Sequence, residues 1–454
     1  MREFILYGGM IVSDSEVVAA DLWVADGKVA GWLAPGAGEK LAAARPGVRL
    51  ISANGLYILP GLIDVHVHLR EPGLEHKEDF VSGTEAAALG GVTTVLDMPN
   101  TIPPVTGPKE LQDKMAKAEG RLTVDVGFYG VVGRDNLDAI EDLAAAGAVA
   151  FKMFLGPTTG EIRPPEHGAL FAAFEEVART GLPLVVHAED REVIEYWQNR
   201  LAGLGDTYGH FLQSRPAYGE AAATELAIRL AEATGARVHI AHVATAEGVD
   251  VLRAAKERCE YVTCETCPHY LTLTEADWPR LGNKLKILPP VRSTKDQKRL
   301  WEAVQDGVID VIATDHAPHL DAERTGKSLW DAPAGAAGLE TMLPLLLDSV
   351  NRGRLTLPDV VRLTSERPAE IFGLAPRKGS LRPGADADLV LVDLMQRRVL
   401  RGEALRTRAK STPFEGMEVQ GVPVATYLRG ELVASQGDLV STARRGRVLT
   451  PGSR

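Results

Sequence analysis

Apolar, β-branched runs alternate with longer stretches of helical periodicity through the middle of this chain. Segments such as ELQDKMAKAEG and LFAAFEEVART carry their apolar residues at the spacing of amphipathic helices. Eight strands separated by such helices predict a parallel (β/α)₈ barrel, the TIM-barrel fold. We place the strands at about residues 61–68, 92–98, 124–130, 148–154, 183–189, 237–243, 261–267 and 308–315.

The two ends of the chain have a different pattern, with short alternating strands and turns. Residues 1–55 include FILYGGMIV and DLWVADGKVAGWL, and residues 377–454 include ADLVLVDL and PVATYLRGELVAS. Alternation with a period of two predicts strands with one buried face. Because neither end is long enough for its own core, we predict one small β-sandwich built from both, beside a barrel domain over residues 56–376. We expect the polar end TARRGRVLTPGSR to be loosely held.

Composition and charge exclude several classes of protein. With 454 residues, 45% of them apolar, the chain can bury a large core and hold more than one structural unit. A net charge of −11 without a basic block argues against nucleic-acid binding. No run approaches the roughly 20 apolar residues of a membrane span, and MREFILYGGM lacks the features of a signal peptide. We expect a cytoplasmic homo-oligomer that acts on a small molecule.

The three cysteines do not indicate a disulfide framework. Cys259, Cys264 and Cys267 are few and clustered. The last two form a single C-x-x-C within a predicted strand, where core packing is favoured over a zinc or redox site.

Residues able to bind a metal lie where predicted barrel strands meet the loops that follow them. His66 and His68 in GLIDVHVHL are two positions apart, so they point to the same face of a strand and can bind one ion together. Catalytic residues of TIM barrels gather at this end of the strands. The pattern therefore predicts a metal site, to which four further strands contribute Lys152, His187, His242 and Asp315.

Several longer motifs carry a resemblance to a known family. They are DVHVHLREPGLEHKEDFVSGTEAAALGGVTTVLDMPNTIPP, FKMFLG, VVHAED, CETCPHYL, ATDHAPH and GLETMLPLLL. The chain resembles the cyclic amidohydrolases over nearly its whole length, and among them it is most similar to the dihydroorotases. The resemblance implies a hydrolase that interconverts N-carbamoyl-L-aspartate and (S)-dihydroorotate in pyrimidine biosynthesis. Allantoinases and hydantoinases, which open other cyclic amides, are the alternative.

Hydrolysis of a cyclic amide needs hydroxide at neutral pH, a Lewis acid on the carbonyl oxygen and a proton donor for the leaving nitrogen. Two metal ions about 3.5 to 4 Å apart supply the first two. Neutral imidazoles combined with oxygen ligands suit zinc, so we expect two zinc ions per chain. His66, His68 and Asp315 would hold one ion, and His187 and His242 the other.

Lys152 differs from the other candidate ligands because a protonated amine beside two cations would be strongly disfavoured. Burial and nearby positive charge push a lysine toward its neutral form, and a neutral amine can add carbon dioxide to become a carbamate. The resemblance implies that Lys152 does so and bridges the metals. The alternative is a lysine that reaches from the strand end to solvent, beside Phe151, Met153 and Phe154.

Proton transfer and substrate binding have their own candidates. Asp315 can accept the proton of the attacking water and pass it to the leaving nitrogen, although a purely structural role is the alternative. Arg70 could bind a carboxylate bidentately, with Asn100 and His319 completing the contact. Dihydroorotate carries a ring carboxylate, whereas allantoin and simple hydantoins do not, so these residues favour dihydroorotase. Alternatively, Arg70 forms a surface ion pair with Glu71 or Glu78.

Other histidines near the predicted site have less specific roles. His269 and His316 could orient metal-binding imidazoles, which usually need such partners. His239 has the opposite parity from His242, so we expect its neighbours to satisfy it.

Some residues depart from the dihydroorotase pattern and leave the substrate open. Leu288 in KILPPVR stands where many dihydroorotases carry asparagine, and this motif is also similar to that of hydantoinases. Ala336 and Ala337 stand where a proline is common.

Two other classes of protein are possible on the same fold. A mononuclear deaminase on the same barrel would not need Lys152. A metal-free structural protein derived from this fold should have lost ligands, and all six are present.

Overall fold

Eight parallel strands form the predicted barrel in a computed structural model that describes residues 3–158, 162–440 and 444–451. Each strand pairs with the next one along the chain. The first and last strands meet through a parallel bridge between Val67 and His316, and the backbone N–H of His68 donates to the His316 carbonyl at 2.7 Å. The prediction of a TIM barrel is confirmed. Its strands are β8 (Leu62–Val67), β9 (Val92–Asp97), β10 (Asp125–Val131), β11 (Ala150–Phe154), β12 (Leu184–His187), β13 (Val238–Ile240), β14 (Val262–Thr266) and β15 (Val311–Ile312).

Helices follow the barrel strands and cover the outside of the sheet. Some of these helices start with a polar N-cap residue, shortly after a strand end that carries a candidate ligand. Asp190 accepts a hydrogen bond from the N–H of Val193 at 2.9 Å, and Thr245 accepts one from Gly248 at 2.9 Å. The helices are α1 (Ala37–Ala44), α2 (Phe80–Leu89), α3 (Pro108–Ala118), α4 (Ile140–Ala145), α5 (His167–Thr180), α6 (Arg191–Leu201), α7 (Tyr208–Ser214), α8 (Ala217–Thr234), α9 (Ala246–Lys256), α10 (Pro268–Thr272), α11 (Trp278–Leu281), α12 (Thr294–Gln305), α13 (Asp321–Arg324), α14 (Met342–Asn351), α15 (Leu357–Val361) and α16 (Arg367–Ile371).

No helix among the described residues combines the length and apolar character that crossing a membrane requires.

The inside of the barrel is filled with apolar side chains. The hydroxyl of Tyr129 crosses this interior and donates to the Val65 carbonyl at 2.8 Å. A filled interior leaves the ends of the strands as the places where a site can form. The buried cluster includes Ile63, Val65, Leu96, Met98, Tyr129, Val185, Ala241, Val311, Ala313 and Phe372.

Two further sheets lie outside the barrel. The smaller is built from the start of the chain alone, whereas the larger combines strands from both ends, as predicted. One sheet has the spatial order β5 (Lys28–Leu33), β4 (Asp21–Ala25), β1 (Glu3–Tyr7) and β6 (Arg49–Ser52). The other has the order β19 (Asp438–Leu439), β18 (Glu431–Ser435), β17 (Glu418–Leu428), β16 (Leu389–Val399), β7 (Tyr57–Pro60), β2 (Met10–Val12) and β3 (Val17–Ala19). Their shared core contains residues of both ends, among them Phe4, Leu6, Ile58, Leu389, Val422 and Tyr427.

Strand β7 lies beyond residue 55, within the range predicted for the barrel. It nevertheless pairs with β16 and β2 in the larger terminal sheet. The chain then passes through Gly61 directly into barrel strand β8. The sandwich and the barrel are therefore joined here without a linker.

The end of the chain is held more firmly than the sequence suggests. Residues Val448–Leu449 form strand β20, which pairs in parallel with Val126 and Gly127 of β10. Strand β11 pairs only with residues 129–131 of β10, so the start of β10 keeps an open edge that β20 occupies. The expectation of a loosely held end was wrong for these residues, while residues 441–443 and 452–454 lie outside the described part of the chain.

A buried charge cluster connects the start of the barrel with the terminal sheets. Lys378 Nζ lies 2.7 Å from Asp125 of β10 and 2.5 Å from Asp388. Arg429 Nη1 lies 2.6 Å from the same Asp125 carboxylate. Lys378 and Asp125 are almost fully buried, so each charge depends on its partners for stabilisation.

We predict that Lys378→Met destabilises the protein by about 3 kcal/mol, because removal of one partner leaves buried carboxylates uncompensated. The measurement is the urea midpoint of unfolding. Lys109→Met is the matched control, since Lys109 forms an exposed ion pair with Asp113 and should leave the midpoint nearly unchanged. Equal shifts for the two variants would contradict a structural role for the buried cluster.

Candidate metal centre

The structure brings the six predicted ligands together at the C-terminal end of the barrel strands. They come from β8, β11 and β12 and from the loops that follow β8, β13 and β15. All six line one small cavity of about 40 Å³. These residues are His66, His68, Lys152, His187, His242 and Asp315.

Three of these side chains form a cluster able to hold a metal ion. One ligand atom from each of His66, His68 and Asp315 lies within 4.8 Å of the others. Asp315 Oδ1 is 3.4 Å from His66 Nε2 and 3.2 Å from His68 Nε2. Burial lowers the pKa of His68 to about 3, so its imidazole is neutral and can offer a lone pair.

A second pair of imidazoles lies beside the first cluster. His187 Nδ1 is 3.0 Å from His242 Nε2, and the ring planes are close to perpendicular. Burial lowers the pKa of both histidines, and the positive charge of Lys152 acts in the same direction. His187 Nε2 lies 2.9 Å from Glu189, so that nitrogen donates its proton there and Nδ1 keeps a lone pair. Two neutral imidazoles that face each other in this way suit a cation.

Lys152 lies beside His66 and lines the same cavity as the other ligands. Its Nζ is 3.5 Å from His66 Nε2 and 5.2 Å from the centre of the Phe154 ring. The side chain is fully buried, which excludes the alternative in which it reaches solvent. Burial lowers its pKa to about 8, even though Glu265 and Asp315 act in the opposite direction. Burial therefore shifts this amine toward its neutral form.

Glu265, which the sequence motifs did not single out as a site residue, supports three histidines. Its carboxylate contacts His66 Nδ1, lies 3.3 Å from His239 Nε2 and accepts a hydrogen bond from the backbone N–H of His242 at 3.2 Å. These contacts hold the pKa of Glu265 well below its usual range despite complete burial. With Nδ1 of His66 bound to a carboxylate, Nε2 faces the candidate metal position. The sequence carried one signal for this role: a glutamate within a buried strand needs a partner for its charge.

Asn100 contacts a candidate ligand and lines the cavity. Its Oδ1 lies 2.9 Å from His68 Nδ1, so this ring donates to the amide and directs Nε2 toward Asp315. The residue also lines the cavity. Asn100 therefore orients a ligand, in addition to the substrate contact predicted from the sequence.

Arg70 also lines the cavity and is buried. The predicted alternative, an ion pair with Glu71 or Glu78, is wrong: Glu71 lies 2.6 Å from Arg121, and Glu78 contacts Ser82, Thr407 and His316. Arg70 Nε has no hydrogen-bond partner among the described residues, and Nη2 lies 3.1 Å from His319 Nε2. His319 is thus in contact with Arg70 and is not among the residues that line the cavity.

Three site residues have backbone conformations that L-amino acids rarely adopt. The φ angles are 64° for Arg70, 39° for His242 and 45° for Asp315. Non-glycine residues in the left-handed region are uncommon, and they concentrate at functional sites where the surrounding structure holds them. Each of these residues follows a barrel strand, so the local backbone turns its side chain toward the cavity.

The remaining sequence candidates have mainly supporting roles. His316 lies 3.3 Å from Glu78 and accepts from the N–H of Gly338 at 3.1 Å. His269 Nε2 has no hydrogen-bond partner in the part of the chain that the structure describes. His239 is held by Thr263 and Glu265. The cysteines are free and buried, as expected for core packing. Leu288 lines the cavity, and Ala336 pairs with His316.

Comparisons with known proteins identify the family. Residues 57–433 match the amidohydrolase family, so the chain belongs to the amidohydrolases. It is 40% identical to a dihydroorotase of Halobacterium salinarum, covering 93% of this chain and 97% of that protein. It is 38% identical to an allantoinase of Rubrobacter xylanophilus, covering 99% and 98%. An L-hydantoinase structure from Arthrobacter aurescens superposes with a TM-score of 0.94 at 35% identity, covering 99% and 100%. The chain is thus a cyclic amidohydrolase whose relatives differ in substrate.

We predict that Glu265→Gln lowers zinc affinity by roughly 10- to 100-fold, the usual effect of losing the partner of a metal-binding histidine. Competition with a chromophoric chelator measures this affinity. The control is Cys264→Ala, which alters the neighbouring buried residue outside the centre. Unchanged affinity in the glutamine variant would mean that His66 does not depend on this carboxylate.

Proposed function

We propose that the protein is a dihydroorotase, which interconverts N-carbamoyl-L-aspartate and (S)-dihydroorotate, in the cytoplasm and as a homo-oligomer. The observation that carries this proposal is the buried guanidinium of Arg70 at the cavity. Dihydroorotate has a carboxylate on its ring and so offers this guanidinium an acceptor.

The surroundings of Arg70 support an anionic substrate. No carboxylate of the described residues lies within ion-pair distance of its guanidinium, although Arg70 is only 3% exposed. Burial lowers its pKa to about 10, which still leaves it charged at neutral pH. A buried guanidinium without a paired carboxylate is unfavourable, and a bound carboxylate would reduce that penalty. Asn100, which also lines the cavity, can add a hydrogen bond to the same ligand.

The donor set fits two divalent metal ions, which we infer to be zinc. His66, His68 and Asp315 would hold one ion and His187 and His242 the other, with Lys152 shared between them. When bound, such ions acidify water and polarise a carbonyl oxygen.

Lys152 would contribute as a carbamate. Its neutral Nζ forms a bond to the carbon of carbon dioxide, and one proton leaves the nitrogen. The product carries a negative charge on two oxygens, which replaces an amine that binds cations poorly with a group that binds them well. Complete burial and a lowered pKa both favour the neutral amine that this reaction needs.

Asp315 would move the proton during catalysis. A water oxygen bonds to the ring carbonyl carbon, the carboxylate of Asp315 accepts a proton from that water, and the ring carbon–nitrogen bond breaks. Asp315 then delivers the proton to the leaving nitrogen. Burial would raise the pKa of Asp315, but His66 and His68 hold it below its usual range, so the group is an ionised carboxylate at neutral pH.

A hydantoinase or allantoinase activity is the second candidate. Leu288 supports it, because this apolar side chain lines the cavity at a position where many dihydroorotases carry a polar residue. The named relatives include both activities.

We predict that Lys152→Ala abolishes binding of the second ion and most activity. Metal content by mass spectrometry and turnover of dihydroorotate are the measurements. A short carboxylic acid added with bicarbonate should restore part of both, because it replaces the missing oxygens. Two bound ions and full turnover in the alanine variant would rule out the carbamate.

We predict that Arg70→Met reduces kcat/KM for dihydroorotate by the equivalent of roughly 2 to 5 kcal/mol, the cost of losing one side of a buried charged contact. Hydantoin should be affected far less, because its ring has no carboxylate. Arg134→Met, which removes an exposed arginine paired with Glu166, is the control. Equal losses on both substrates, or a wild-type enzyme that hydrolyses allantoin but not dihydroorotate, would favour the second candidate.

A further inference from the structure

A lysine outside the cavity is connected to Arg70 through one histidine ring. Lys77 Nζ lies 3.1 Å from His319 Nδ1, and the other ring nitrogen, Nε2, lies 3.1 Å from Arg70 Nη2. The same Nε2 is 3.0 Å from the Ala334 carbonyl oxygen. The side chains of Lys77, His319 and Arg70 therefore form a continuous series of contacts from a partly exposed lysine to the cavity.

The available protons decide which contacts in this chain are hydrogen bonds. A charged lysine only donates, so His319 Nδ1 must accept from Lys77. Burial and the charges of Arg70, Lys77 and Arg324 hold the pKa of His319 far below its usual range, so the ring carries one proton. That proton lies on Nε2, which can donate to the Ala334 carbonyl.

The opposite tautomer lacks an acceptor for its proton. With the proton on Nδ1, the ring would direct an N–H at the ammonium of Lys77. Glu323 Oε2 is 3.8 Å from this nitrogen, too far for a hydrogen bond, and no other acceptor among the described residues is within hydrogen-bond distance. Glu323 Oε1 is instead paired with Lys77 at 2.9 Å.

The favoured tautomer has a consequence for Arg70. An Nε2 that carries a proton cannot accept from Arg70 Nη2, and Arg70 Nε has no partner among the described residues either. In the opposite tautomer, His319 Nε2 would accept from Arg70 and occupy its Nη2 within the protein. The proton on Nε2 thus keeps the guanidinium available to an acceptor from outside.

We propose that Lys77 fixes the tautomer of His319 and thereby keeps Arg70 available to the carboxylate of an anionic ring substrate. This inference rests on the proposed function. Lys77 is a positioning residue, because it acts on the substrate through His319 and Arg70. Its effect should fall on the preference for anionic over neutral rings.

The test compares kcat/KM for dihydroorotate with kcat/KM for hydantoin in a set of variants. Lys77→Met should lower this ratio about tenfold or more, the size of effect expected for one charge-assisted hydrogen bond. The loss should appear mainly in KM for dihydroorotate. Lys77→Arg retains a cationic donor and should restore most of the ratio.

Two controls separate the tautomer from the ion pairs around it. Glu323→Gln removes the charge partner of Lys77 but leaves Lys77 beside His319, so the ratio should stay close to that of the wild type. Lys284→Met removes another lysine paired with helix α13, through Asp321 at 3.0 Å, and should also leave it unchanged. A ratio that falls as far in Glu323→Gln as in Lys77→Met would overturn the proposal.

The tautomer itself can be observed in the wild-type protein. Nitrogen-15 NMR of histidine-labelled enzyme distinguishes a protonated from an unprotonated ring nitrogen, and His319→Asn identifies the signal. A proton on Nε2 supports the proposal, and a proton on Nδ1 overturns it. This measurement does not depend on the folding of any lysine variant.

The outcome also distinguishes this inference from the proposed function. A wild-type enzyme without activity on dihydroorotate would refute the proposed function and, with it, this inference. Activity on dihydroorotate combined with an unchanged ratio in Lys77→Met would refute the inference alone.

Discussion

The site depends on one constraint. Four histidines, a lysine and an aspartate are buried together at one end of the barrel. None of the six is more than 9% exposed. Burial lowers the pKa of His68, His187, His242 and Lys152, which favours the forms that present a lone pair without a proton. Such a concentration of donors is unfavourable alone and becomes favourable around cations, so the arrangement suits metal binding.

The groups around the ligands determine which ring nitrogen of each histidine carries the proton. Glu265, Glu189 and Asn100 each take one nitrogen of a histidine ring and direct the other into the cavity. Lys77 has a comparable relation to His319, one contact further from the substrate. The backbone contributes as well, since His242 and Asp315 are held at positive φ where strands end. Orientation of the site therefore depends on elements spread around the barrel.

The barrel and its ligands could be predicted from the sequence because both are local signals. Alternating strands and helices define the fold, and a ligand at the end of a strand can be recognised from the sequence of that strand alone. Glu265 could not be found this way, because its partner His66 lies 199 residues away. Strand β20 was missed because its place depends on where β11 begins to pair with β10. The contact between Arg70 and His319 likewise requires two distant loops to be placed first.

The most direct test of the account is anomalous X-ray diffraction at the zinc absorption edge, from crystals grown with zinc and bicarbonate. We predict two zinc peaks per chain, one beside His66, His68 and Asp315 and one beside His187 and His242, with additional density extending from Lys152 Nζ. A single peak on the first three residues, with an unmodified Lys152, would contradict it.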